Sequence, residues 1–326
     1  MRNLGVLTAT VTMLSVLPMA AQTAETPKPK RINKAIELLE QGQPVYYTGG
    51  RGGFEEGKKL NQTYADYINY EMEHGVFDLT QLREFMRGLV AGGPTKSGHR
   101  TPAVIVTLPV LGLDAASMLA NSWVVQQTLA TGVHGILLCH ARSPEAVRVF
   151  VESVRYPFAE RVAGLGEGWR GSGSQGYASQ MWGISPNEYV KKADPWPLNK
   201  NGEILLGLKI EDKIALGNSE KTTKVPGVGF AEWGPGDMGW SLVGLVEGPP
   251  RGRGAQGERR PQEFPPIMLE ARRRVLNATK AAKVFFLNAV AEADVEEQIK
   301  EGVMVCAGGP AAAEKGRKFT KRTMPY

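Results

Sequence analysis

Apolar residues in this chain gather in short dense runs, and between the runs lie segments with apolar positions at helical spacing. Eight runs read as strands: PVYYTGG (44–50), YINYEME (67–73), AVIVTLP (103–109), HGILLCHA (134–141), EILLGLKIE (203–211), VGFAEWG (228–234), KVFFLNAV (283–290) and GVMVCAGG (302–309). RINKAIELLEQG precedes the first run as a helix ending on Gly42. Further helices are expected at DLTQLREFMRGLVAG, SWVVQQTLATG, SPEAVRVFVESVRY, EDKIALGNSE, PPIMLEARRRVLNATKAA and AEADVEEQIKEG. Several of these open after Asp, Ser or Pro and stop at Gly, as helix capping requires. Strands apolar on both faces, alternating with amphipathic helices, predict a parallel sheet with right-handed crossovers, and eight such units close into a (β/α)8 TIM barrel. The competing doubly wound sheet needs a Gly-rich phosphate loop after its first strand. The first strand here is followed by GGRGGFEEG, which lacks the G-x-G-x-x-G pattern and is expected as a flexible active-site loop.

The ends of the chain read differently from its middle. Residues 1–24 begin Met1-Arg2-Asn3, continue through LGVLTATVTMLSVLPMAAQTA and place small residues at Ala20, Ala21 and Ala24, the pattern of a secretory signal peptide. The apolar run is shorter than the ~20 residues that span a bilayer, so export to the periplasm or medium of a bacterium is expected, not a stable membrane anchor. A linker over 25–31 then leads into a single barrel domain over 32–326, interrupted at 159–202 and 246–266. Loops of that length are expected to be lids or interface elements, on the face of the barrel that holds the active site. With 326 residues and 42% apolar content the chain can bury a full core. Its net charge of +6 sits largely in the tails TPKPKR and EKGRKFTKR, without a basic helix or interleaved aromatics, which argues against nucleic acid as a partner. Cys139 and Cys306 lie in apolar runs and supply no disulfide framework.

In a barrel the strand C-termini converge on one site, so the polar residues there belong together. They are His74, Thr107, His140, Arg142, Lys209, Glu211 and Asp237. His74 follows Glu71 and Glu73 in NYEMEHGVFDL, a pattern that serves equally a charged turn or a catalytic base. Glu211 and Asp237 close neighbouring strands, where two carboxylates repel unless a cation lies between them. Oxygen ligation favours Mg²⁺ or Mn²⁺ over zinc, with Co²⁺ a possible substitute. The same spacing would also suit Glu211 as a helix cap and Asp237 as a turn residue. His140 and Arg142 read as a solvent-facing rim. Trp169, Trp182, Trp196, Trp233 and Trp240 fall in the long loops and the sixth-run turn, where they suit either a bulky or aromatic substrate or ordinary packing.

Four blocks, DYINYEMEHGVFDL, GVHGILLCHARSPEAVRVFVESVRYPF, GLKIEDKIAL and VPGVGFAEWGPGDMGWSLVG, resemble in order those of the HpcH/HpaI aldolase/citrate lyase family, the metal-dependent class II pyruvate aldolases, from about Ile32 to Ala307. The resemblance implies a (β/α)8 barrel that exchanges a C-terminal helix between subunits, in homo-oligomers from dimer to hexamer. It implies a divalent metal held by Glu211 and Asp237 that chelates a 2-oxo acid and acts as a Lewis acid. It further implies His74 with Glu71 as the acid/base pair, Glu73 bonded to water ligands of the metal, and Arg170 in an Arg-Gly turn near the site. Two positions depart from the family. Thr107 stands where an Arg usually binds substrate oxygen, and Lys209 stands two residues before Glu211 where Gln is usual. The expected activity is a carbon–carbon lyase on a small 2-oxo or hydroxy acid, with Lys209, Arg170 and Thr107 touching substrate. The alternatives are a hydratase or decarboxylase on the same scaffold, or a barrel that binds ligand without turnover.

Overall fold

A computed structural model describes Met1 and residues 29–245 and 264–326. The expected signal peptide and most of the loop over 246–266 lie outside the described residues. The strands are β1 (Val45–Gly50), β2 (Tyr67–Glu71), β3 (Ala103–Thr107), β4 (Gly135–Leu138), a two-residue β5 (Pro195–Trp196), β6 (Ile204–Lys209), β7 (Phe230–Glu232), β8 (Phe285–Ala289) and β9 (Val303–Ala307). Each strand except β5 lies within one of the eight predicted runs. All pairings are parallel, and β4 pairs with β6 from Gly135↔Leu205 to Leu138↔Leu208, which closes an eight-stranded barrel and leaves β5 appended to β6. The helices are α1 (Lys34–Glu40), α2 (Phe54–Leu60), α3 (Leu79–Ala91), α4 (Ala115–Ala120), α5 (Ser122–Leu129), α6 (Pro144–Val154), α7 (Gln175–Trp182), α8 (Pro186–Lys192), α9 (Lys213–Thr222), α10 (Pro235–Leu242), α11 (Pro266–Ala282), α12 (Val295–Glu301) and α13 (Pro310–Phe319). Side-chain caps start several of them: Asn33 accepts from the Ala35 and Ile36 amides, Asp78 from Thr80 and Gln81, and Asp212 from Ile214 and Ala215. Among the described residues no helix is long and apolar enough to cross a membrane.

Alternate residues of each strand face opposite sides, and they form two separate cores. One set, with Ile68, Val104, Val106, Ile136, Leu138, Leu206 and Leu208, packs against the surrounding helices. The other set points into the barrel: Val45, Tyr67, Ala103, Ile105, Leu137, Leu205, Phe230, Leu287 and Val305. The barrel's N-terminal end is plugged by α1, whose Ala35, Ile36, Leu38 and Leu39 join this inner set. Beside the plug, Asp66 is fully buried. It accepts two hydrogen bonds from Arg322 at 2.8 and 2.6 Å and one from the Tyr46 amide at 3.0 Å, and it lies 3.5 Å from the Lys34 ammonium.

Two expectations change. GGRGGFEEG is the end of a strand, a short turn and the start of a helix: α2 starts at Phe54 and lies directly on α3; a Cβ on Gly57 would meet the Phe85 carbonyl at 2.1 Å, and one on Gly88 the Phe54 carbonyl at 2.0 Å. The glycines serve a close helix crossing, and only residues 51–53 remain as a turn. Residues 159–202 hold α7, α8 and β5 and follow helix α6, which returns the chain to the N-terminal end of the barrel. They pack there, away from the mouth: the Trp182 indole donates to the Gly132 carbonyl at 2.8 Å, the Arg100 side chain to that of Met181 at 3.0 Å, and the Trp196 indole to Glu40 at 3.2 Å. The last helix, α13, packs within this single chain on its own barrel, with Arg317 donating to Asp66 and to the Tyr64 carbonyl.

Two of the four histidines are structural. His134 is buried, its Nδ1 accepts the Val104 amide at 3.1 Å, and its ring stacks on Trp182 at 5.7 Å. His99 is buried between Ser97 and Glu37. Burial pushes the His134 imidazole down from 6.5 to about 3. The unfolded chain therefore takes up this proton first as pH falls, so the contribution is whole above pH 6.5 and declines toward about 3. The slope from this group is at most about 1.4 kcal/mol per pH unit. His134→Asn keeps an acceptor for Val104 without the titration, so its melting temperature should fall less steeply between pH 6.5 and 4 than that of the parent protein. Parallel profiles in differential scanning calorimetry would show that other groups carry the acid sensitivity.

Candidate metal centre

The inward alternation that is apolar near the plug turns polar at the mouth. From Tyr67 it continues through Asn69, Glu71 and Glu73, from Ile105 to Thr107, from Leu205 to Lys209 and Glu211, and from Phe230 to Glu232. Glu211 lies two residues beyond the end of β6 with its side chain completely buried. Asp237 sits in the first turn of α10, where the helix dipole favours a carboxylate. The tight turn between β7 and α10 depends on Gly234, whose φ is +21° and where a Cβ would fall 2.4 Å from that of Glu211. His140, two residues beyond β4, takes a left-handed φ of 49°, a conformation that costs a non-glycine residue energy. That conformation lets its amide donate to Glu211 Oε1 at 3.0 Å while its Nδ1 meets Asp212 Oδ2 at 2.7 Å. Glu73, His140, Glu211 and Asp237 each bring one ligand atom within 4.8 Å of the others.

The charges here are held in tension. Lys209 Nζ donates to Glu73 Oε2 at 2.5 Å and lies 2.9 Å from Glu211 Oε2, an ion-pair contact without hydrogen-bond alignment. Burial pushes Glu211 up to about 7, with Lys209 opposing and Glu73 adding to the rise. Burial alone would lower Lys209, yet Glu232, Glu211 and Glu73 hold its ammonium well above the ordinary value. Glu73 stays below its ordinary value because Lys209 outweighs its burial. Glu73 Oε1 and Glu211 Oε2 are buried oxygens without hydrogen-bond partners. Three carboxylates, two of them with such unengaged oxygens, and an imidazole whose Nδ1 is already held by a carboxylate form a donor set that fits a divalent cation.

The sequence-predicted residues fall into two groups. Glu211 and Asp237 share the cluster, and Glu73 brings a carboxylate oxygen into the same group. His74 is half exposed at the rim, its Nε2 3.4 Å from Glu73 Oε2; Glu71 Oε1 accepts the amides of Glu73 and His74 at 2.9 and 3.2 Å and so holds their turn. The carboxylate beside the His74 ring is thus Glu73, while Glu71 acts on the backbone. Thr107 ends β3 and donates its hydroxyl to Asn69 Oδ1 at 2.8 Å. Arg170 is not brought to the site: it is buried in the insertion after α6, its guanidinium 4.4 Å from the Tyr156 ring and donating to the Tyr189 hydroxyl at 3.1 Å. His140 and Arg142 are more than a solvated rim, since both bind Asp212. The signal that could have found them is a His and an Arg ending one strand beside the Glu211-Asp212 pair ending the next. Of the five tryptophans in the long loops and the sixth-run turn, Trp182, Trp196 and Trp233 are buried and Trp169 packs on the core, which leaves Trp240, on the same helix as Asp237, exposed.

No family model matches the chain. It is 27% identical over 177 residues to a hydroxypyruvate/pyruvate aldolase of Deinococcus radiodurans, a match covering 54% of this chain and 52% of that protein. The chain thus spans about half the length of the curated relative it matches. Its fold superposes on an HpcH/HpaI aldolase/citrate lyase family protein from Burkholderia cenocepacia with a TM-score of 0.60 at 19% identity, covering 89% of this chain and 98% of that one. The chain has the fold of the HpcH/HpaI aldolases. It also resembles the citrate lyase beta subunit of M. tuberculosis complexed with oxaloacetate and magnesium, with a TM-score of 0.50 at 12% identity over 86% of this chain and 97% of that one. These likenesses agree with the family that the four sequence blocks resemble.

The Gly234 turn gives a test of the centre that leaves every donor atom in place. In Gly234→Ala the added methyl must push against Glu211, so Mn²⁺ affinity measured by titration calorimetry should fall roughly tenfold or more, as when a group that orients a ligand is lost. The circular dichroism spectrum should be unchanged. Wild-type affinity in this variant would show that Glu211 is not a ligand held by the turn.

Proposed function

We propose that this protein is a divalent-metal-dependent carbon–carbon lyase of aldolase type, acting on a small 2-oxo or 2-hydroxy acid. The observation that carries the reading is the cluster of Glu73, His140, Glu211 and Asp237 at the mouth of a barrel filled at its other end. The half-length relative named hydroxypyruvate/pyruvate aldolase supports it, as does the neighbour that holds oxaloacetate together with magnesium. An imidazole among the carboxylates tilts the choice from Mg²⁺ toward Mn²⁺ or Co²⁺. When bound, the ion supplies Lewis-acid polarisation of the substrate's oxygens.

The chain's own residues would do the rest. Glu211 and Asp237 hold the ion with Glu73 and His140, and Asp212 fixes the His140 ring so that Nε2 faces the cluster. His74, half exposed at the rim beside Glu73, moves a proton between substrate and solvent, and Glu71 keeps its turn in place. Apolar walls below the cluster keep bulk water from the reacting carbon. A second reading, hydration or decarboxylation at the same centre, is favoured by the end of β3, where the neutral Thr107 hydroxyl is committed to Asn69 and brings no charge to an aldol oxyanion.

The decisive assay incubates purified protein and Mn²⁺, Co²⁺ or Mg²⁺ with a panel of 4-hydroxy-2-oxo acids and follows pyruvate release. Metal-dependent release abolished by EDTA is expected. His74→Ala should lower the rate by about 10²–10⁴ with metal content unchanged. Failure to release pyruvate with any of the three metals would remove the aldolase assignment, and a His74→Ala rate within twofold of the parent's would remove His74 from the proton path.

A further inference from the structure

We infer that Lys209 is a tethered counter-cation of the metal centre: its ammonium holds Glu73 and Glu211 together in the metal-free protein, and a divalent ion enters by displacing it. The inference rests on the metal-dependent reading above and concerns what this chain adds to it. Lys209 projects from the last position of β6, two residues before Glu211, so strand alternation aims both side chains into the same space. Its Nζ contacts Glu73 Oε2 at 2.5 Å and Glu211 Oε2 at 2.9 Å, which places a positive charge between two of the four residues that cluster as ligands. Those carboxylates are almost wholly buried, at 2% and 0% side-chain exposure, so solvent does little to screen them. Without a cation between them the like charges would drive the two side chains apart or take up a proton. A divalent ion drawn to the same oxygens meets a fixed positive charge within a few ångströms, a repulsion weakened little in so enclosed a place. Metal and ammonium therefore compete, and the protein binds metal more weakly than its donor set alone would allow.

Displacement also gives Lys209 a second position. Once off the carboxylates, its flexible stem carries an ammonium at the mouth of the barrel, where the neighbouring Arg142 is already engaged by Asp212. An acid substrate arriving with the metal is the natural partner for that charge. Metal loading and recognition of an anionic substrate are thus coupled through one side chain.

The test compares the parent with Lys209→Met, which keeps the bulk and removes the charge, and with Lys209→Arg, which keeps the charge. Mn²⁺ affinity is measured by titration calorimetry and by electron paramagnetic resonance, and melting temperature with and without Mn²⁺. Lys209→Met should bind Mn²⁺ about tenfold more tightly or better. It should melt lower than the parent without metal and gain more from added Mn²⁺, while Lys209→Arg should bind no more tightly than the parent. Parent-like or weaker Mn²⁺ binding by Lys209→Met, with the parent itself binding Mn²⁺, overturns the inference and leaves the lyase reading standing. If neither protein binds Mn²⁺, Co²⁺ or Mg²⁺, the metal-dependent reading falls and the inference with it.

Discussion

The pairing of β4 with β6 turns a row of parallel strands into a closed barrel, and closure obliges every second residue of each strand to share one narrow interior. Everything functional in this protein follows from what that interior receives. At the plugged end the inward residues are Val45, Tyr67, Ile105, Leu205 and Phe230, which pack against α1. One to three steps further along the inward alternation they become Glu73, Thr107, Lys209, Glu211 and Glu232. The apolar layers stabilise the fold, and the polar layer above them inherits positions it could not have held alone. A buried carboxylate such as Glu211 costs free energy, and the barrel supports it only because the layers beneath are so well filled.

Within that polar layer, side chains are chosen to restrain one another. The unusual backbone at His140 brings an amide to one oxygen of Glu211, Gly234 lets α10 approach it, and Lys209 faces its other oxygen. Asp212 binds both His140 and Arg142 while capping α9, so one carboxylate ties the end of β4 to the start of the helix that follows β6. A strained residue held by several independent contacts is the usual mark of a site whose geometry matters more than its stability.

The eight strands were legible because each is a short apolar run bounded by polar or turn residues, and the convergence of strand C-termini grouped Lys209, Glu211 and Thr107 on one rim. The barrel's closure and the family resemblance came from the order of those runs. Reading failed where polarity of position mattered more than residue type. The insertion over 159–202 was assigned to the active-site face, yet it follows a helix, so the chain had already returned to the opposite end. Arg170 and three tryptophans, Trp169, Trp182 and Trp196, lie there with it. GGRGGFEEG looked flexible because glycine is ambiguous in a sequence, being at home in a loop and in the tight contact of α2 with α3 alike. His140 reads as rim in the sequence because its role depends on a left-handed backbone, which residue spacing does not reveal, and on the Asp212 beside Glu211.

The plug formed by α1 and the clamp of Arg322 on Asp66 shut one end of the barrel with both chemistry and bulk. With the interior packed below, the site among the described residues opens at the mouth, over Asp237 and His74. On the proposed lyase reading both fragments of a cleaved substrate would leave through that one opening, the fragment nearer the rim ahead of the one beneath it.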